Sequence, residues 1–112
     1  MIDSYVGAME GFPVAGYQAS AEFVGANPRT VAAFQRALAA AVGRIAEDPE
    51  LVPSIAPEFT SLEPALASQV SLPDFRARLD AQSLQRVHDF LLEFGLLASE
   101  LDVEALVVAW DP

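Results

Sequence analysis

Cysteine and lysine are absent from this 112-residue sequence, and histidine and tryptophan occur once each. Without cysteine the chain has no disulfides, no thiolate metal ligands and no thiol nucleophile. Long uncharged apolar runs are also missing, since the longest apolar stretch, residues 31–45, contains Arg36 and Arg44. We therefore expect no transmembrane helix. The sequence starts MIDSYVGAMEG, with neither the basic start nor the apolar run of a secretory signal.

Positive charge is scarce, because 16 acidic residues are accompanied by only 6 arginines, which gives a formal net charge of −10. Such a chain repels a phosphate backbone, so we expect no nucleic-acid partner. The hydrophobic fraction of 53% is high for a soluble domain, but much of it is alanine, a strong helix former. The composition therefore favours an acidic, mostly helical protein with one core.

The most strongly patterned stretch is a helix predicted between Asp80 and Gly95. Asp80 is a good N-cap because its carboxylate can accept hydrogen bonds from the free N–H groups of the first turn. Apolar residues then recur every three or four positions, which places them on one face. They are Leu84, Val87, Leu91 and Phe94, with Phe90 beside them. Gly95 is expected to end the helix in the left-handed conformation, with Leu96 contacting Leu91 as in a Schellman motif.

A longer helix is predicted to open at Asn27 and Pro28, an N-cap residue followed by the residue best tolerated at the first helical position. Its apolar residues also follow helical spacing. They are Val31, Phe34, Leu38, Val42 and Ile45. Gly43 inside this helix is unfavourable by about 1 kcal/mol relative to alanine, so we expect a neighbouring helix to pack closely there. Pro49 stops the helix.

Shorter helical segments surround these two. Pro53 and Pro57 are expected to cut the segment 51–59 and to prevent one long helix there. Serine and aspartate residues indicate where the remaining helices begin, because their side chains can accept hydrogen bonds from the free N–H groups of a first turn. These are Ser20 before residues 21–24, Ser61 before residues 62–70, and Asp102 before residues 103–108.

One strand is predicted, over residues 12–20, FPVAGYQAS. Pro13 restricts it to a strand start or a sheet edge. Gly16 indicates a close approach by another backbone or by a ligand, and the ring of Tyr17 lies beside it in the sequence. Gly16 and Tyr17 are therefore the candidate ligand-binding residues, although Tyr17 also fits a strand aromatic that packs on the core. A lone strand cannot pair its own backbone groups, so this one needs a sheet from elsewhere.

The predicted fold class is thus mainly α, with five or six unequal helices behind one short N-terminal strand. We expect residues 1–112 to form a single domain or a fragment of one. Within it, residues 1–20 are the strand and its lead-in, and residues 21–112 are helical.

Catalytic residues are hard to place. His88 as a general base would need a nucleophile and an orienting group converging on it, and the nearby hydroxyls, Ser83 and Ser99, lie in no recognisable motif. His88 fits a residue at the boundary of an amphipathic helix face instead. A metal site would have to use the carboxylates around Pro49, a run that is more typical of a solvated surface. They are Glu47, Asp48 and Glu50. We expect no enzymatic activity, no metal and no cofactor.

Three stretches together resemble one protein family. They are FPVAGYQASAEFVGANPRTVAAFQRAL (residues 12–38), SLPDFRARLDAQSLQRVHDFLLEFGLL (residues 71–97) and LDVEALV (residues 101–107). Their order and spacing resemble the C-terminal part of the solute-binding proteins of ABC importers, of the nitrate, sulfonate, taurine and thiamine-precursor type. The resemblance implies the C-terminal segment of a two-lobed type II periplasmic-binding fold, in which earlier parts of the chain supply the sheet for the strand.

The resemblance also implies a function and a place. A protein of this family captures a small organic solute or anion between its lobes and delivers it to an ABC permease, in the periplasm or outside the cell envelope. A complete gene product without a signal would be cytoplasmic. The first functional prediction is therefore a C-terminal piece, or a remnant, of a solute-binding protein. The alternative is a stand-alone acidic helical module for interaction or dimerisation, without ligand binding. We expect a homo-oligomer, because the absent lobe would otherwise cover the apolar helix faces.

Overall fold

The computed structural model describes residues 12–110 of the chain. Six helices lie within this range. They are α1 (Ala21–Ala26), α2 (Pro28–Glu47), α3 (Leu51–Phe59), α4 (Pro64–Ala67), α5 (Ala81–Glu93) and α6 (Val103–Leu106). The mainly helical fold class is therefore confirmed.

The predicted strand is not formed. Residues 12–20 are neither helix nor strand, and no strand occurs anywhere between residues 12 and 110. The physical reason is the one that made the strand unusual in the sequence: strand pairing needs a second strand, and this part of the chain provides none. The rest of the predicted lead-in, residues 1–11, lies outside the described residues.

The chain divides into two compact units. The described part of the first unit comprises residues 12–28 and 78–110, and α6 packs against α5 in it. Aromatic rings extend this contact: Phe12 meets Phe90 edge to face, with 6.1 Å between ring centroids, and Phe90 stacks on Phe94 at 5.8 Å. The guanidinium of Arg78 lies 5.8 Å from the ring centroid of Trp110, which gives the C-terminal tryptophan a cation–π contact.

Both predicted ends of α5 are confirmed. Asp80 caps the start, because its carboxylate accepts from the Ser83 N–H at 2.9 Å. Gly95 has a φ of 68°, the left-handed conformation that a glycine adopts without a Cβ penalty. The N–H of Leu96 donates to Leu91 O at 2.7 Å, and the N–H of Gly95 donates to Leu92 O at 3.0 Å. This pair of hydrogen bonds defines a Schellman motif.

The boundary between α1 and α2 differs in part from the prediction. Ser20 caps α1 as expected, accepting from Phe23 N–H, but α1 continues through Gly25 to Ala26. Asn27 is predicted as the N-cap of α2, but the hydrogen bonds in the structure make it the residue that closes α1. Its backbone N–H and its side-chain amide both donate to Phe23 O, at 2.9 and 3.0 Å. The predicted first residue of α2, Pro28, is confirmed.

The second unit contains α2 from residue 29 onward, α3 and α4. Within it α3 packs against α4, and α2 packs against neither. The close helix packing predicted at Gly43 is not found, since a Cβ built there would meet nothing within 4 Å.

The proline-containing segments also differ from the prediction. The cut expected in residues 51–59 does not occur, because α3 runs through both Pro53 and Pro57. Pro53 is tolerated because the N–H groups of a first turn have no helical acceptor. The helix α4 begins at Pro64 after Glu63, so Ser61 does not cap it, and it ends at Ala67, short of the predicted residue 70.

Few apolar side chains of the described residues are buried. Among the described residues these are Val103 in the first unit and Ala67 in the second, each 3% exposed. The other buried residues are polar, namely Gln35, Ser83 and His88. The predicted apolar stripes of α2 and α5 are only half-buried, and one phenylalanine of each stripe, Phe34 and Phe94, is exposed. The described residues of each unit thus contribute only a very small apolar core.

Candidate functional site

The predicted ligand-binding residues lie in the irregular segment 12–20. The side chain of Tyr17 is 77% exposed, so it does not pack in a core here. A Cβ added to Gly16 would meet nothing within 4 Å, so the close backbone approach predicted from this glycine does not occur. The structure brings Gly16 and Tyr17 together only as neighbours in sequence. Their ligand-binding role therefore stays a prediction.

His88 is the centre of the best-defined polar cluster. It is 6% exposed, and its Nε2 accepts the backbone N–H of Leu101 at 3.0 Å. Because Nε2 accepts, the ring proton of the neutral imidazole lies on Nδ1. Nδ1 is 3.1 Å from Oδ1 of Asp89 and donates to it. The side-chain nitrogen of Gln85 donates to the same Asp89 oxygen at 2.8 Å.

These hydrogen bonds shift the titration of Asp89. The Gln85 side chain, and next the His88 side chain, donate to the carboxylate and lower the pKa of Asp89 below its ordinary value. Hydrogen bonds to the charged form of an acid have this effect. The Asp89 side chain remains 63% exposed, so its charge is solvated as well as bonded.

The cluster has the geometry of a structural contact and not of a catalytic base. A general base needs a free ring nitrogen aimed at the proton that it removes, whereas Nε2 of His88 is occupied by a backbone N–H. Ser83, the nearest candidate nucleophile in the sequence, donates its hydroxyl to the capping carboxylate of Asp80. The sequence placed His88 at the edge of a helix face but missed its burial, because the partner lies thirteen residues further along the chain.

The carboxylates around Pro49 are solvent-exposed, as the charge pattern predicts. They are Glu47, Asp48 and Glu50. Across residues 12–110 no group of three or more acidic, histidine or cysteine side chains is arranged to hold a metal ion. None of the helices in the described range is long and apolar enough to span a membrane.

Sixteen large apolar side chains among the described residues are exposed, and both units contain some of them. In the first unit they are Val14, Tyr17, Phe23, Leu79, Phe94, Leu96, Leu101, Leu106 and Val108. In the second they are Phe34, Ile55, Phe59, Leu66, Val70, Leu72 and Phe75. The most exposed are Phe59 at 80% and Tyr17 at 77%. Single exposed apolar residues are ordinary, whereas apolar residues that form a contiguous patch mark a binding surface.

Comparisons with protein-family models, with curated proteins and with solved structures find no match for this chain. The resemblance to solute-binding proteins therefore rests on the three sequence stretches alone.

Proposed function

We propose that this protein is an acidic helical interaction module that completes its apolar cores by binding a second copy of itself. One observation carries the proposal: among the described residues each unit buries one apolar side chain, while sixteen large apolar side chains are exposed. Burying apolar surface is the main favourable contribution to folding and association. Association supplies the burial that each unit lacks.

The segment 12–20 is the proposed contact region. It forms no regular structure in the described chain, and Val14 and Tyr17 in it are 61% and 77% exposed. An extended segment with apolar side chains can pair along its backbone with another chain. A closed two-fold pair is the expected form, because this symmetry is the commonest and brings the same apolar surface together from both copies.

The charge of the chain makes the proposal testable by salt. Two copies with a formal net charge of −10 each repel each other, and added salt screens this repulsion. The self-association constant should therefore rise between low and moderate ionic strength. Association with a basic partner protein would show the opposite dependence. Sedimentation equilibrium over a concentration series at two ionic strengths measures the effect.

A matched pair of variants locates the contact. Val14→Asp places a charge in the proposed contact region and should weaken self-association. Gln82→Asp adds the same charge at an exposed polar residue of the same unit, removes no apolar surface, and should leave self-association almost unchanged. A monomer at all concentrations with a cooperative melt would contradict the proposal, as would equal effects of the two variants.

The solute-binding function implied by the sequence resemblance remains a separate proposal. It requires that a small organic solute stabilise the chain, since a ligand that binds only the folded state raises the melting temperature. Thermal melts with nitrate, taurine, an alkanesulfonate and thiamine as probes test it directly. If a solute raises the melting temperature and Tyr17→Ala abolishes this effect, the result would favour the solute-binding function over the interaction module.

A further inference from the structure

The second unit contains an open groove between α3 and α4. Its volume is about 320 Å³, and it is lined by one face of α3 and one face of α4. The lining residues are Glu50, Pro53, Ser54, Pro57, Pro64 and Ser68. Three proline rings supply its apolar surface, and a carboxylate and two hydroxyls supply its polar groups. The volume lies at the lower end of the range for small-molecule sites.

The groove offers hydrogen-bond acceptors and almost no donors. Its three prolines have no backbone N–H. The remaining backbone N–H groups are used within the chain: that of Glu50 donates to Asp48, that of Ser54 to Glu50 O, and that of Ser68 to Leu66 O. The hydroxyl of Ser54 also donates internally, to Leu51 O at 2.7 Å. The Ser68 hydroxyl is the one donor of the lining for which no acceptor is assigned.

Glu50 gives this acceptor surface a negative charge. Glu50 precedes α3, but its carboxylate makes no capping hydrogen bond to the helix. The two ion pairs assigned among residues 12–110 are Arg76–Asp74 and His88–Asp89, so neither uses Glu50. The second unit, residues 29–77, contains six acidic residues and four arginines, so its formal charge is negative and favours a cation over an anion.

We propose that the α3–α4 groove binds a small organic cation, a primary ammonium carried on a compact apolar body. The apolar body contacts the proline rings. The ammonium group, with three N–H donors and no acceptor, donates to the Glu50 carboxylate and to the serine oxygens. An anion would meet the like charge of Glu50 and a single available donor, the Ser68 hydroxyl. This site is independent of the proposed self-association, since it uses no residue of the segment 12–20.

Benzylamine, which is protonated at pH 7, and benzyl alcohol, its neutral analogue of similar shape, are the probes. Amide chemical shifts of Ser54 and Ser68 in ¹⁵N-labelled full-length protein report the binding. We expect saturable shifts with benzylamine, much weaker binding of benzyl alcohol, and weaker benzylamine binding as salt is raised.

Two glutamate variants locate the charge that matters. Glu50→Gln keeps the shape and should weaken benzylamine binding about three- to tenfold, the range for removing an ionic hydrogen bond at a partly open site. Glu58→Gln makes the same change on the same helix at a residue outside the groove lining and should have almost no effect. Circular dichroism checks that both variants keep their helices. Equal binding of the two probes, or equal loss in the two variants, overturns the proposal.

Discussion

The backbone N–H of Leu101 donates to Nε2 of His88 at 3.0 Å and so joins two residues that are thirteen positions apart. The bond ties the segment that follows α5 back onto the helix, and the buried imidazole is in turn held by Asp89. Val103 is the one buried apolar residue among the described residues of this unit, so we expect this polar contact to contribute to its stability. It gives the first prediction.

Replacing His88 should destabilise the first unit. His88→Ala removes the acceptor for Leu101 N–H and leaves a space where the ring was, so we expect a loss of about 1–3 kcal/mol in the free energy of unfolding. His88→Gln places an amide that can accept in about the same region and should lose less. Urea denaturation measures the loss, and amide exchange at Leu101 should quicken in the alanine variant. Unchanged exchange at Leu101 would show that the bond does not hold this segment.

Replacing Gly95 by alanine and replacing Gly43 by alanine should change the free energy of unfolding in opposite directions. Gly95→Ala forces a Cβ onto a residue with a φ of 68° and should lower the free energy of unfolding by about 1–2 kcal/mol. Gly43→Ala lies inside α2 with open space around it and should raise it by up to about 1 kcal/mol. Thermal or urea unfolding of both variants checks the contrast. A stabilised Gly95→Ala would contradict the left-handed cap.

Truncating Leu91 and truncating Leu96 should lower the free energy of unfolding by different amounts, because the two side chains differ in burial. Leu91→Ala truncates a half-buried residue of the α5 stripe. The free energy of unfolding should fall by about 1–3 kcal/mol, which is less than the loss for truncating a deeply buried leucine. Leu96→Ala makes the same truncation at a residue that is 72% exposed and should change stability by less than about 0.5 kcal/mol. Equal losses measured by urea denaturation would mean that Leu96 is covered in solution, for instance by a second copy.

Asp89 predicts a pH dependence of stability. Its pKa is lowered in the folded chain by hydrogen bonds from Gln85 and His88, so the unfolded chain binds a proton more readily. The resulting stabilisation is present above the unfolded carboxyl pKa of about 3.9 and is lost as the pH falls through the lower folded-state pKa. Asp89→Asn keeps an acceptor oxygen but removes the charge. The variant should therefore be less stable than the wild type at pH 7, and this difference in the free energy of unfolding should shrink below about pH 4. A difference that stays constant to pH 2.5 would contradict this cause.

Local chemistry was enough to predict the helix ends that depend on short sequence separations. The caps by Asp80, Ser20 and Asp102 each satisfy an N–H three residues away, and the left-handed Gly95 closes hydrogen bonds within one turn. Each of these contacts involves only a few residues that are close in sequence, so it does not depend on contacts with distant parts of the chain.

Other features needed contacts that no short window contains. The strand expected at residues 12–20 required a partner strand, and the close packing expected at Gly43 required a second helix. Local patterns cannot show whether such a partner exists. The sequence by itself thus determined the helical class, the two long helices and both caps of α5. Only the tertiary structure decided that His88 is buried and that sixteen large apolar side chains of the described residues stay exposed, because burial depends on which distant residues meet.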